Sequence, residues 1–368
     1  WENAGNKYLS DNGQWAAYII SQQAGDGKLH FNELLSQSRK EIPRAEQVKF
    51  TTASKFAVFV IKPTYQETRL AKIKKKKPEE MPKDSLGILN LTTLALTKIA
   101  NVKSFKIPEN GGDLLAYHLH KVPDTGKVKA PAEKKGNEEG TTLVFRNLNT
   151  GTERRFNTIT EYSFNKPGTQ LALASSGNKK DKTAGGVFLY QTEKGNLKTL
   201  VAKKGNYKGF VFDEEGEHLA FLGETSPEKD EIKDYNIFYN SLSLDSAQVL
   251  VENDFPGMPQ KWAVSGDGEL KFNKDGDKLF FGIAPIKTAK DTTLVEFENA
   301  KLDIWGYKDD YLQPMQLKNA DRMLKKSYLT FIDIYNIDPK IVPLTDLKLP
   351  EATLVNEGQI FVADVLIK

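Results

Sequence analysis

One unit recurs along this chain and limits what it can fold into: a strand, a turn containing Gly or another small residue, and a second strand ending in aromatic and aliphatic residues. It reads YLSDNGQWAAYII from Tyr8, FTTASKFAVFVI from Phe50, SFKIPENGGDLLAYHL from Ser104, YSFNKPGTQLALAS from Tyr162, FVFDEEGEHLAFLG from Phe210 and LKFNKDGDKLFFGI from Leu270. Asn-Gly, Pro-Gly, Glu-Gly and Asp-Gly place glycine where a tight hairpin needs positive φ, and the flanking alternation supplies an inner and an outer face. The second copy has Ala53, Ser54 and Lys55 at its turn and lacks the glycine.

The turn residues Gly13, Ser54, Gly112, Gly168, Gly216 and Gly276 are separated by 41, 58, 56, 48 and 60 residues. Such spacing suits four-stranded β-propeller blades of roughly 40 to 50 residues with insertions. A second strand pair follows most copies, as in ILNLTTLALTKI from Ile88, TLVFRNLNTGTERRF from Thr142, VFLYQTEKGNLKTLV from Val187 and IFYNSLSLDSAQVLV from Ile237, with polar turns at 149–151 and 194–196. The sequence therefore predicts an all-β fold, a β-propeller forming a single domain over 1–368, with about seven or eight four-stranded blades when complete. Beyond Gly276 the next comparable turn, Asn356-Glu357-Gly358, lies 82 residues on. The periodicity between predicts a short helix around Gln313 to Lys326, a strand from Tyr328, and an enlarged blade. The last residues look like the first half of another blade, so the propeller is expected to be incomplete in this chain, truncated at its C-terminus.

Polar insertions fall near 65–85, 122–140, 177–186 and 226–234. Segments so poor in apolar residues bury too little surface to order themselves, and are expected to be exposed loops, partly disordered. Charge is nearly balanced, 52 basic against 49 acidic residues, so no overall field favours nucleic acid or an anionic membrane. The absence of cysteine excludes disulfides, cysteine nucleophiles and thiolate metal sites. Apolar runs such as Phe56 to Ile61 are far shorter than the roughly 20 residues of a membrane-spanning helix.

The opening KYLSDNGQWAAY from Lys7, the aromatic-ending hairpins and LDIWGYKDDYLQPMQ from Leu302 resemble the N-terminal propeller region of prolyl oligopeptidase-type serine peptidases, in particular the dipeptidyl peptidase IV-like members of Bacteroidetes-type bacteria. The resemblance covers nearly the whole chain, and the segment from Trp305 to Gln316 is its most specific part. It implies that the catalytic Ser, Asp and His belong to a C-terminal α/β-hydrolase domain absent from this chain. It also implies a periplasmic or secreted location. In dipeptidyl-peptidase-like relatives a pair of propeller glutamates binds the substrate amino terminus; Glu79-Glu80, Glu138-Glu139 and Glu214-Glu215 sit in polar turns or loops, and none is carried over.

No G-x-S-x-G string occurs, and Val264-Ser265-Gly266 lacks the glycine two residues before the serine. His118 and His120 alternate on the strand LLAYHLHK and could chelate a metal given a third ligand, but two histidines on a solvated strand face explain them more simply. His30 and His218 offer no pattern. Lys72 and Lys74 to Lys77 form a dense basic run, and the Pro78, Glu79, Glu80 and Pro82 that follow favour a solvated insertion over a phosphate site. Trp15, Trp262 and Trp305, with Tyr18, Phe56, Phe59, Phe221, Phe280 and Phe281, are better explained by packing between blades than by a ligand face. No catalytic residue, cofactor or metal ligand is assigned.

Two functions follow as expectations. The first is the non-catalytic propeller of a serine exo- or oligopeptidase, gating and positioning short peptides for the hydrolase domain. The second is a stand-alone cell-envelope propeller that binds protein, peptide or glycan; fold alone does not choose between them. A glycosidase using paired carboxylates finds no pair set apart from surface turns. Peptides and the hydrolase domain are the partners expected, with no nucleic acid and no membrane span.

Overall fold

A computed structural model describes residues 1–36, 38–121, 139–178, 184–224, 226, 232–241, 243–288, 305–309, 311–355 and 360–363. The chain forms two compact units, Trp1–Ala202 and Lys203–Lys368.

The first unit contains four successive antiparallel meanders. Blade 1 is β1 (Glu2–Leu9), β2 (Trp15–Gln22), β3 (Lys28–Glu33) and β4 (Arg39–Pro43); blade 2 is β5 (Ala45–Phe50), β6 (Phe56–Ile61), β7 (Ser85–Asn90) and β8 (Leu96–Ile99). Helix α1 (Tyr65–Ile73) lies between β6 and β7. Blades 3 and 4 share a seven-stranded sheet made of β9 (Val102–Lys106), β10 (Leu114–Leu119), β11 (Thr141–Asn147), β12 (Glu153–Phe164), β13 (Gln170–Ser175), β14 (Gly186–Gln191) and β15 (Asn196–Val201). The twelve residues of β12 close blade 3 against β11 and open blade 4 against β13.

In the second unit, blade 5 is β16 (Asn206–Phe212), β17 (His218–Glu224), β18 (Tyr235–Ser241) and β19 (Gln248–Val251). Blade 6 is enlarged, with β20 (Trp262–Val264), β21 (Lys271–Phe272), β22 (Lys278–Pro285), α2 (Gln313–Leu324), β23 (Tyr328–Asp333) and β24 (Ile341–Pro343). The helix and the strand from Tyr328 stand where the periodicity placed them. A last hairpin, β25 (Ala352–Val355) with β26 (Ile360–Ala363), follows; the turn at 356–358 lies outside the described residues. Consecutive four-stranded meanders in chain order are the blade construction of a β-propeller.

All six turn residues marked in the sequence join an opening strand of a blade to the next, Gly276 joining β21 to β22 where β20 and β21 both pair with β22, and all six are left-handed: φ is 68° at Gly13, 52° at Ser54, 35° at Gly112, 75° at Gly168, 76° at Gly216 and 70° at Gly276. A second feature of the repeat escaped the sequence reading. Three residues before the marker stands a buried Ser10, Thr51, Asn165, Asp213 or Asn273. Its side-chain oxygen accepts from the backbone N–H five residues on, at Trp15, Phe56, Gln170, His218 and Lys278, over 2.8 to 3.2 Å. Its backbone N–H donates back to the carbonyl of the same residue, and its carbonyl accepts from the marker. The turn thus satisfies its own buried backbone groups.

The middle strands of each blade are apolar on both faces because each unit stacks its sheets. In FAVFVI, Ala57, Phe59 and Ile61 pack with Trp15, Leu29 and Phe31 of blade 1. The alternate residues Phe56 and Val58 pack with Leu115, Tyr117 and Val144 of blade 3. Leu143 and Phe145 then meet Leu171 and Tyr190 of blade 4. The inner and outer faces expected from the alternation are therefore both buried faces in these strands. Blades 5 and 6 form a comparable core through Leu222, Ile237, Leu279, Phe281 and Ile332.

The insertion at 65–85 is not an exposed loop throughout. Thr64 caps α1 by accepting from the Glu67 N–H at 3.1 Å, while Glu67 accepts from the Thr64 N–H at 3.0 Å. That reciprocal box satisfies the first turn, and the Tyr65 N–H reaches Asp26 at 2.7 Å, so the segment orders with only Ala71 buried. Residues 122–138 and 179–183, and most of 226–234, lie outside the described residues.

Replacing Asn165 with Ala strands the buried Gln170 N–H. We expect Asn165→Ala to lower stability by about 2 kcal/mol, read from the urea midpoint, with Asn165→Asp, which keeps the acceptor, losing less.

Candidate functional site

The turns that define the repeat also touch one another in the first unit. The Asn12 N–H donates to Ser54 Oγ at 3.2 Å, Thr52 Oγ1 donates to the Glu109 carbonyl at 3.1 Å, and the Asn110 N–H donates to the Lys166 carbonyl at 2.8 Å. At Gly111 the approach is so close that a Cβ would lie 1.9 Å from the Pro167 carbonyl oxygen, so only glycine fits.

Beside these turns the first strands of blades 2, 3 and 4 line a groove of about 560 Å³. Lys49 comes from β5, Lys106 from β9, Ser163 from β12, and Asp11, Glu109 and Lys166 from the turns. Lys106 Nζ donates to the Tyr162 carbonyl at 2.8 Å and lies 5.3 Å from the centre of the Tyr162 ring. It still meets solvent through the mouth of the groove. The walls nevertheless strip enough hydration to hold its ammonium below the usual lysine range, with Glu161 opposing that effect and Lys49 adding to it. Burial raises the Tyr162 hydroxyl to about 12, and it lies 3.0 Å from Ser104 Oγ. The arrangement offers both signs of charge and hydrogen-bonding groups along exposed first strands, with no nucleophile and base in contact.

The residues weighed in the sequence fall elsewhere. His118 is 3% exposed, contrary to a solvated face, because β10 is covered on both sides. Its Nε2 lies 2.7 Å from Thr141 Oγ1, and its ring meets Tyr162 edge-on at 5.9 Å. His120 falls beyond the end of β10 and is partly exposed. Among the described residues no three His, Asp or Glu gather to hold a metal. Glu79 and Glu80 lie on a 3-10 turn, Pro78–Glu80, Glu139 pairs with Lys121, and Glu214 and Glu215 occupy the turn of blade 5; Glu138 lies outside the described residues. Ser265 is buried and accepts from the Asp267 N–H in a turn. Trp15 belongs to the core shared by blades 1 and 2, as packing between blades predicts, Trp262 packs on Tyr328 of its own blade at 5.0 Å, and Trp305 is 66% exposed. His218, which showed no pattern in the sequence, touches the hydroxyls of Tyr239 at 2.5 Å and Tyr335 at 2.9 Å. Nothing in local sequence links residues so far apart.

The class of architecture is thus a propeller-type array of four-stranded blades with a polar groove at the turn end of its first strands. No protein-family model and no curated protein matches the chain. Similar solved structures include an acylaminoacyl peptidase of Pyrococcus horikoshii, at 12% identity and TM-score 0.40, covering 77% of this chain and 43% of that one. The β-propeller domain of the Trilobed protease from Pyrococcus furiosus is 13% identical at TM-score 0.39, covering 77% and 78%. A eukaryotic initiation factor is 14% identical at TM-score 0.48, covering 96% and 68%. The chain spans less than half the length of the acylaminoacyl peptidase. No activity follows from identities of this size. No helix among the described residues is long and apolar enough to cross a membrane.

Burial, with Lys103 adding to it, lowers the His118 pKa from 6.5 to about 4. Between those values the unfolded chain binds a proton that the folded chain does not, so stability falls as pH drops from 6.5 to 4. We expect His118→Gln to flatten that part of the stability profile, by roughly 3 kcal/mol at its low end, in urea unfolding followed against pH.

Proposed function

We propose that this chain is the non-catalytic propeller portion of a serine exo- or oligopeptidase of the prolyl oligopeptidase kind. In this reading it gates and positions short peptides for an α/β-hydrolase domain of the parent protein. The propeller of the parent has about seven or eight blades and works in the bacterial periplasm or outside the cell. The observation that carries the reading is the groove, lined by Lys49 and Lys106 on first strands and by Asp11 and Glu109 in the turns. A short peptide brings a carboxylate, an ammonium and backbone amides, and each finds a complementary group there. The sequence resemblance supplies the reaction class; the groove supplies a place for the peptide.

The test is to assay the complete gene product on dipeptide and proline-containing amides. We expect cleavage that is lost when the serine of a G-x-S-x-G elbow encoded beyond Lys368 is replaced by Ala. Lys106→Met in that product is expected to raise KM for short peptides roughly three- to tenfold with kcat little changed. A product without serine-dependent cleavage overturns the peptidase reading, and an unchanged KM removes the groove from it.

A further inference from the structure

The basic run that looked like a solvated insertion in the sequence does not behave uniformly in the structure. Helix α1 ends at Ile73, and Lys75 takes a left-handed backbone with φ of 50°. The Lys76 N–H closes on the Ala71 carbonyl and the Lys75 N–H on the Lys72 carbonyl. That helix stop usually places glycine at the left-handed position. Here it turns the run back, so that Lys74 and Lys76 line a cleft between α1 and blade 2, while Lys72, Lys75 and Lys77 do not.

The cleft, of about 510 Å³, draws its other cations from distant parts of the chain: Arg44 at the joint between blades 1 and 2, Lys62 after β6, Lys83 before β7, and Lys98 on β8. Glu67 is the one carboxylate in the lining, and it is engaged with Thr64. Lys62 is neutralised by Asp84 at 2.8 Å and Glu46 at 3.3 Å. Arg44, Lys74, Lys76, Lys83 and Lys98 form no ion pair among the described residues. Six cations thus face three carboxylates, in a protein whose net charge is only +3 over 368 residues. Like charges lining one cleft repel one another, and a shared anion relieves that repulsion. Cations from five segments converging on a concavity focus field in a way that a solvated tract does not.

We propose that the cleft between α1 and blade 2 is a binding site for a compact phosphate-bearing anion with two or more negative charges, held by Arg44, Lys74, Lys76, Lys83 and Lys98. Several ammonium point charges and one guanidinium fork suit phosphate oxygens. The bound group is either a free phosphate compound or a lipid headgroup. The site stands apart from the first-strand groove and does not depend on the peptidase reading.

The test uses the full 368-residue chain in 150 mM salt, titrated by calorimetry with inorganic tripolyphosphate, and separately by co-sedimentation with phosphatidylcholine vesicles containing one fifth phosphatidate. Saturable binding is expected in at least one arm. The double variant Lys74→Glu/Lys76→Glu should weaken it by at least tenfold, and Lys98→Glu by about threefold or more. The control Lys72→Glu/Lys77→Glu makes the same charge change in the same run outside the cleft, and should alter it less than twofold. Urea unfolding of each variant checks that α1 and the blades remain folded. Binding of tripolyphosphate alone assigns a free anion, and binding of vesicles alone a headgroup. Binding in neither arm, or equal loss in the double variant and its control, overturns the site.

Discussion

The hydrogen bond between a buried turn side chain and the backbone N–H five residues on is the constraint from which the rest of this structure follows. Ser10, Thr51, Asn165, Asp213 and Asn273 each hold a left-handed turn closed from inside. Closing the turn fixes the register between the first and second strands. Register decides which side chains face which neighbour, since a slip of one residue would reverse every face. The stacked cores, with Ala57, Phe59 and Ile61 on one side of β6 and Phe56 and Val58 on the other, depend on that setting.

The same turns do a second job. They pack against each other and against the blade 3 turn, which lacks that side-chain bond, and the contacts from Asn12 to Ser54, Thr52 to Glu109 and Asn110 to Lys166 fasten four blades along one end. The first strands beside them carry Lys49 and Lys106 into the groove, where Asp11 and Glu109 of the turns bring the opposite charge. The middle strands are left with almost no polar outward positions at all. Polar chemistry in a stack of sheets is therefore pushed to first strands, turns and insertions.

Much of this was legible in the sequence. Glycine spacing located the first-to-second-strand turn in every blade, and even Ser54 was correctly marked, because small residues and flanking alternation are local signals. The helix at Gln313–Leu324 and the strand at Tyr328 were legible for the same reason. What escaped was non-local or easily mistaken for surface polarity. The buried Asn165 and Asp213 look in sequence like ordinary turn residues, though the recurrence of a small polar residue three places before five of the six markers was there to be counted. His118 looked solvated because strand alternation implies one wet face, and here both faces are covered. Thr64 and Glu67 had the spacing of a helix start, hidden by the lysines that follow. The groove and the basic cleft each gather residues from separate segments, and no window along the chain contains either.

The strand β12 has a consequence for how the first unit comes apart. Ile159 is paired to Thr141 on one side and to Ser175 on the other, so the ladder of blade 3 passes into that of blade 4 without a break. Blades 1 and 2, by contrast, are separate sheets, parted at Arg44. Amide protons in β9 to β15 should therefore open as one cooperative block, because exposing either half of β12 unzips a strand that the other half needs. A protein assembled from repeats in sequence thus need not lose them one repeat at a time.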